Sequence, residues 1–288
     1  MKRSPLRLIG CLGLGTWLVA NTLLAPPWVA AARVSTAAGS TVKVAAAGDI
    51  AHAGGPNNNQ RQTANLVTSL HPDQVLELGD AQYEHGEYAQ FMRSYDPTWG
   101  AFKNITAPVL GNHEYETKDA AGYFQYFAAQ LNGRGSTATD PKAGYYSFNV
   151  GDWHIVALNS NCHFANCNAQ ATWLRNDVAS DNHLCELVMY HDPGTGVFQS
   201  AAVAAKVDVM LAGHEHRYER WNPSHGSSLR RFIVGTGGKS AGAPNPRADG
   251  KFKGYGVLSL DLNPTGYSWK FIAVGGQTKD SGSDSCHD

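Results

Sequence analysis

Five short apolar runs in this 288-residue chain each end in a residue type that ligates metals. Val42 to Ala47 leads into Gly48-Asp49. Val75 to Leu78 leads into Gly79-Asp80, with Tyr83 three residues on, and Pro108 to Leu110 leads into Gly111-Asn112-His113-Glu114. Leu187 to Tyr190 ends at His191, and Val207 to Ala212 runs into Gly213-His214-Glu215-His216. Apolar runs without polar alternation read as strands buried on both faces, the pattern of a parallel sheet covered by helices. In such sheets, sites form outside the carboxyl ends of the strands. Five strands would therefore bring Asp, Asp with Tyr, Asn with His, His, and His-x-His to one edge. That set of oxygen and imidazole donors suits two metal ions better than one.

Taken singly, each signal has a plainer reading. Gly-Asp is a common turn pair, and Gly151-Asp152 is assigned to one, a tight hairpin between the alternating runs Tyr145 to Val150 and Trp153 to Asn159. Asn112 could be a helix cap, and His191 a hydrogen-bonded histidine at a strand end. His214-x-His216 is the strongest pair, since residues two apart in an extended segment project to the same side. The conjunction of five donor-bearing strand ends in one order carries the argument. His71, His154, His183 and His287 belong to no motif and are expected to be solvated or capping, while His52, His163 and His225 lie in loops that border the site.

The rest of the pattern fits an α/β chain. Gln62 to Leu70 has helical spacing and stops at Pro72, so that with the strands on either side it completes a βαβ unit. Glu87 to Tyr95, Ala120 to Gln130 and Ala169 to Ser180 are further helices. Arg231 to Val234, Tyr255 to Leu262 and Tyr267 to Val274 are late strands. Two stacked mixed sheets flanked by helices are expected, with no internal repeat.

Residues 1–32 read as a signal peptide. Lys2, Arg3 and Arg7 form a basic start, Leu8 to Leu24 an apolar stretch, and Val29-Ala30-Ala31-Ala32 a small-residue cleavage site. A retained anchor is the competing reading, weakened by Gly10, Gly13, Gly15 and Asn21. Residues 33–41 form a linker and 42–288 one catalytic domain, placed in the periplasm or outside the cell. Lysine plus arginine (23) nearly equals aspartate plus glutamate (24), which gives no electrostatic case for a nucleic-acid patch or, after cleavage, for a membrane surface. Beyond the leader, Cys162, Cys167, Cys185 and Cys286 make an even set, which in an exported chain implies two disulfides with three possible connectivities. A Cys162–Cys167 loop clip and a Cys185–Cys286 tail staple are favoured over a Cys-x4-Cys zinc site.

Together, Gly48-Asp49, Gly79-Asp80-Ala81-Gln82-Tyr83, Gly111-Asn112-His113-Glu114, Val188-Met189-Tyr190-His191 and Gly213-His214-Glu215-His216 resemble the five blocks of the calcineurin-like metallophosphoesterases. Tyr83 narrows the resemblance to the purple acid phosphatase branch, and Tyr218-Glu219-Arg220 and Val234-Gly235-Thr236-Gly237-Gly238 support it. The likeness runs from Val42 to the end and is greatest to the short exported bacterial members.

The resemblance implies a four-layer αββα sandwich. It also implies a binuclear centre in which Asp49, Asp80, Tyr83 and His216 hold Fe(III), while Asp80, Asn112, His191 and His214 hold a divalent Fe, Zn or Mn. The implied activity is hydrolysis of small phosphomonoesters, by in-line attack of a metal-bound hydroxide on phosphorus, with His113 on the phosphate. Phosphodiester hydrolysis is the alternative, and a non-catalytic metal-binding protein a third. Two departures bear on the acid that protonates the leaving group. His191-Asp192-Pro193 replaces the usual paired histidines, and no histidine falls between His191 and His214. Asp192, His113 and His163 remain open for that role.

Overall fold

The protein is described by a computed structural model covering residues 39–53, 59–224 and 227–287. The expected leader, most of the linker and His225 lie outside the described residues.

The first strand, β1 (Val42–Ala47), leads through helix α1 (Asn59–Leu70) to β2 (Gln74–Glu77). A short helix α2 (Tyr88–Gln90), continuing as a wide turn over Phe91–Tyr95, precedes β3 (Thr106–Pro108). Helices α3 (Ala121–Tyr126) and α4 (Ala128–Leu131) come next, followed by the hairpin β4 (Tyr146–Val150) and β5 (Trp153–Ala157). Then come α5 (Cys167–Ser180), β6 (Cys185–Met189), α6 (Gly196–Ala204), β7 (Val209–Ala212), β8 (Tyr218–Trp221) and β9 (Arg230–Val234). The chain closes with β10 (Gly250–Phe252), β11 (Gly256–Asn263), β12 (Gly266–Ala273) and β13 (Thr278–Ser285).

Two mixed sheets result, ordered β13-β12-β11-β1-β2-β3 and β10-β8-β9-β7-β6-β5-β4. Strands β1, β2 and β3 run parallel, as do β5, β6, β7 and β9. The donor-bearing loops after these strands therefore share an edge. Alternation along the second sheet explains the continuous apolar runs. Ile155, Leu187, Met189, Val209 and Leu211 join the core that includes β1 and β11. Their neighbours Val156, Val188, Met210 and Ala212 face the other way, into a cluster with Leu174 of α5 and Phe198 of α6. This is the four-layer αββα arrangement expected from the resemblance. Among the described residues no helix is long and apolar enough to cross a membrane.

The differences from expectation have local causes. The helix expected over Ala120 to Gln130 breaks at Phe127 (φ −93°, ψ 16°), which is fully buried and caps α3 while opening α4. Beyond the turn at Asp192, the chain becomes helical from Gly196. The polar tail is the exposed edge strand β13. Both favoured disulfides are present, with Cα separations of 5.2 Å for Cys162–Cys167 and 5.3 Å for Cys185–Cys286. Cys185 opens β6 in one sheet and Cys286 follows β13 in the other, so the second bond ties the two sheets together.

Candidate metal centre

The loops after β1 and β2 run side by side beyond the sheet. The amides of Asp49, Ile50 and Ala51 donate to the carbonyls of Gly79, Asp80 and Ala81, each at 3.0 Å. On the other sheet, the Gly213 amide donates to the His191 carbonyl at 2.9 Å. Asp49 (φ 59°), Asp80 (φ 50°) and His214 (φ 66°) all take left-handed backbone conformations. Such conformations are costly for residues with a Cβ and concentrate at functional sites. Gly111 is required for a different reason: a Cβ there would overlap the Asp80 backbone nitrogen and carboxylate.

Seven side chains converge where the two sheets' edges meet. The Tyr83 hydroxyl lies 2.6 Å from Asp49 Oδ1, 2.7 Å from Asp80 Oδ2 and 3.2 Å from His216 Nε2. Beside them, Asn112 Oδ1 lies 3.2 Å from His191 Nε2 and 3.1 Å from His214 Nδ1. His191 Nε2 is also 3.3 Å from Asp80 Oδ2 and 3.2 Å from His214 Nδ1. The donors thus fall into two sets with Asp80 Oδ2 common to both. Asn112 precedes a 3₁₀ turn over His113–Glu116 but makes no side-chain cap to it; its amide oxygen is turned to the imidazoles instead.

His214-x-His216 reaches the site by a route the sequence did not suggest. The segment is not extended: Glu215 donates to the Gly213 carbonyl and Arg217 to the Glu215 carbonyl in successive tight turns. His214 accordingly joins the Asn112 side and His216 the Tyr83 side. His216 Nδ1 is held by Ser240 Oγ.

Around the donors stand residues that fix their positions. Glu114, fully buried, accepts the amides of Asp80 (3.0 Å) and Gln82 (3.3 Å) and that of Gly111 (2.8 Å). Asn161 Nδ2 donates to the carbonyls of Leu110 and Gly111, both at 3.2 Å. His191 Nδ1 faces the Leu78 carbonyl at 2.9 Å; donation there fixes the tautomer and leaves the Nε2 lone pair pointing into the cluster. His113 packs at a 53° tilt against Tyr83 (centroids 4.3 Å apart), with Nδ1 2.5 Å from the Glu84 carbonyl and Nε2 4.0 Å from Asp80 Oδ2. Lys239 Nζ lies over the Tyr83 ring, 4.6 Å from its centroid, and pairs with Glu84.

The electrostatics of this cluster favour positive charge at its centre. Burial works against charging His191, yet the charge and hydrogen bond of Asp80 push it up to about 10. Burial likewise opposes ionisation of Asp80, but His191 and then His113 outweigh it and hold the carboxyl well below its usual range. Burial, reinforced by Asp49 and Asp80, raises the Tyr83 phenol far above 10. Only a strong cation between these groups can draw off that proton. Two carboxylates, a phenol, an amide oxygen and three imidazoles, with lone pairs facing one another at 2.6–3.3 Å, are a donor set that metal ions fit. The carboxylate and phenol side suits a hard trivalent ion and the imidazole side a borderline divalent one.

Not every candidate joins the cluster. Asp192 Oδ1 accepts the Gly194 amide at 2.8 Å, which ties the carboxylate into its own turn. His163 lies exposed on the loop closed by Cys162–Cys167, its ring 5.3 Å from Phe164. His52 is held low by burial and then by the charge of Lys239, so it borders the same rim. The histidines expected to be solvated do find partners elsewhere. His154 is buried against Asp177 (2.8 Å) and Asp181 (3.3 Å), and His287 binds Asp208. Glu114, Asn161, Ser240 and Lys239 were not foreseen, although the placing of Glu114 in the Gly111-Asn112-His113-Glu114 block was a visible signal.

A family profile described as calcineurin-like phosphoesterase matches residues 42–218. Among curated proteins, the chain is 23% identical over 230 residues to purple acid phosphatase 23 of Arabidopsis thaliana, covering 65% of this chain and 49% of that protein. It is 26% identical over 235 residues to purple acid phosphatase 21 of the same plant, covering 70% and 51%. The chain thus spans about half the length of these relatives. Among solved structures, a purple acid phosphatase from yellow lupin (Lupinus luteus) seeds superposes with a TM-score of 0.64 at 19% identity, over 85% of this chain and 54% of that one.

Proposed function

The chain belongs to the calcineurin-like phosphoesterase family, with relatives among the purple acid phosphatases, and we propose from this that it is an exported hydrolase of small phosphomonoesters working with two metal ions. The observation that carries the reading is the sharing of Asp80 Oδ2 between the Tyr83 set (2.7 Å) and the His191 set (3.3 Å). Asp49, Asp80, Tyr83 and His216 would hold one ion, proposed as Fe(III). Asp80, Asn112, His191 and His214 would hold the other, proposed as divalent Fe, Zn or Mn. Bound there, the ions supply Lewis acidity, neutralising charge on phosphoryl oxygens and lowering the pKa of water toward neutrality.

The chain's own residues do the rest. The Leu78 carbonyl and Ser240 orient the His191 and His216 rings from behind, the outer contacts that keep ligating imidazoles in register. Glu114 holds the Asp80 and Gly111 backbones, and with them the spacing between the two sets. His113, kept in place by the Glu84 carbonyl, presents Nε2 on the open side of the cluster, where it can donate a proton to the leaving-group oxygen. Its partly exposed position suits that role better than the self-capped carboxylate of Asp192. The leader at 1–32 and a catalytic domain over 42–288 belong to the same proposal, and N-terminal sequencing of exported protein tests them.

The deciding experiment compares kcat/KM for an aryl phosphate monoester and the corresponding bis-aryl diester, on purified protein with metals supplied and quantified. Monoester preference supports the reading. Diester preference makes the protein a phosphodiesterase on the same site, and bound metal with no turnover of either makes it a binding protein.

A further inference from the structure

We propose that Lys239 reads the charge of the phosphoryl group, selecting the dianion of a phosphomonoester over the monoanion of a diester. The proposal rests on the hydrolase reading above and names a residue that decides its substrate class.

The backbone fixes Lys239 beside the donor cluster. Its amide donates to the Asp49 carbonyl, and that of Gly237 to the Gly48 carbonyl, both at 2.9 Å. The loop carrying Lys239 is thus laced to the loop carrying the first aspartate. From there the side chain lies along Tyr83, with Nζ 4.6 Å from the ring centroid. Its partner is the carboxylate of Glu84, whose side chain is 55% exposed. Glu84 is also the residue whose carbonyl meets His113 Nδ1. Lys239, Glu84, His113 and Tyr83 therefore form one continuous rim.

What distinguishes Lys239 is the exchangeability of its partner. Arg217, the other cation of the neighbouring loop, is held by Glu215 and by Glu219, and Glu219 is nearly fully buried. Its charge is committed. The pairing of Lys239 is to a surface carboxylate, and an exposed pair is worth at most about fivefold in an equilibrium. A charge-assisted hydrogen bond from this largely buried ammonium, its side chain 21% exposed, to a phosphoryl oxygen is worth roughly 10- to 100-fold. Exchange of Glu84 for phosphate is therefore favourable, and the gain scales with the anion's charge. A diester, with one negative charge and a second organic group near the rim, gains less.

The test uses metal-loaded protein with metal content measured for every variant. Lys239→Gln is expected to lower the monoester-to-diester ratio of kcat/KM by 10- to 100-fold, and to weaken calorimetrically measured binding of inorganic phosphate much more than that of dimethyl phosphate. Lys239→Arg should recover most of the preference, and Glu84→Gln should tighten phosphate binding several-fold. The proposal is overturned by an unchanged ratio in Lys239→Gln at equal metal content. It is also overturned if Glu84→Gln weakens phosphate as much as Lys239→Gln does, since the pair would then be only a brace for His113. If wild-type protein turns over neither ester, the hydrolase reading fails, while the phosphate-binding comparison still decides the role of Lys239.

Discussion

Glu114 Oε2 accepts the backbone amide of Asp80 at 3.0 Å, so a buried carboxylate from the loop after β3 fixes the residue common to both donor sets. Glu114→Gln turns an amide N–H₂ toward one or two of the three backbone N–H groups that the two carboxylate oxygens now accept, and Glu114→Ala leaves all three without this partner. Either change should cost about 1–3 kcal/mol in urea unfolding of metal-free protein, the penalty for unpaired buried polar groups. Metal affinity should fall as well. Wild-type stability and metal content in Glu114→Ala would show that these contacts contribute nothing.

His113→Ala should keep both metals, measured by elemental analysis, because the imidazole lies beside the donor sets and its Nε2 is 4.0 Å from the nearest carboxylate oxygen. Its kcat should fall about 10²- to 10⁴-fold, the range for loss of a positioned proton donor. Loss of metal together with activity would move His113 into the ligand set.

Tyr83 carries the colour prediction. If the first ion is Fe(III) bound by a phenolate, the wild-type protein absorbs visible light by charge transfer, and Tyr83→Phe is colourless with its iron retained. Absorption spectra beside iron analysis decide the matter; a Tyr83→Phe variant that keeps the band removes Tyr83 as its source.

Stability against pH should carry the signature of Glu186, near the start of β6, the strand that runs toward His191. Burial, then the charge of Asp208, pushes its carboxyl from 4.5 up to about 8. Between those values the folded chain holds a proton that the unfolded chain has released, so stability falls as pH rises from about 4.5 through 8. In Glu186→Gln this part of the slope should vanish in thermal melts taken across the window. Parallel curves for variant and wild type would mean the group ionises normally.

The donor residues were legible because they sit at the ends of strands buried on both faces, and such strands write themselves as unbroken apolar runs. Leu187 and Val188 point into different cores, yet both must be apolar, and the run ends where His191 leaves the sheet. What escaped the sequence lacked that constraint. Strand β13 is an edge strand exposed along most of its length, so nothing forces an apolar period on it. The break at Phe127 comes from packing of a buried ring rather than from a glycine or proline. Glu114, Asn161 and Lys239 act on backbone groups of other loops, and their roles exist only once those loops are brought together. His154 was misjudged for the same reason, since its carboxylate partners Asp177 and Asp181 come from the end of α5 and the residue just beyond it.

β1, the strand that carries Asp49, is flanked by β2 on one side and β11 on the other. Its first neighbour follows within one helical crossover, but the second is made from residues 256–263. During synthesis, which proceeds from the N-terminus, the apolar β1 therefore keeps one backbone edge unpaired until β11 has emerged. An open apolar edge is an invitation to pair with another chain, and non-local pairing of this kind is slow to form. The donor residues that follow β1 are thus hostage to β11 near the end of the domain, and their cluster is completed late.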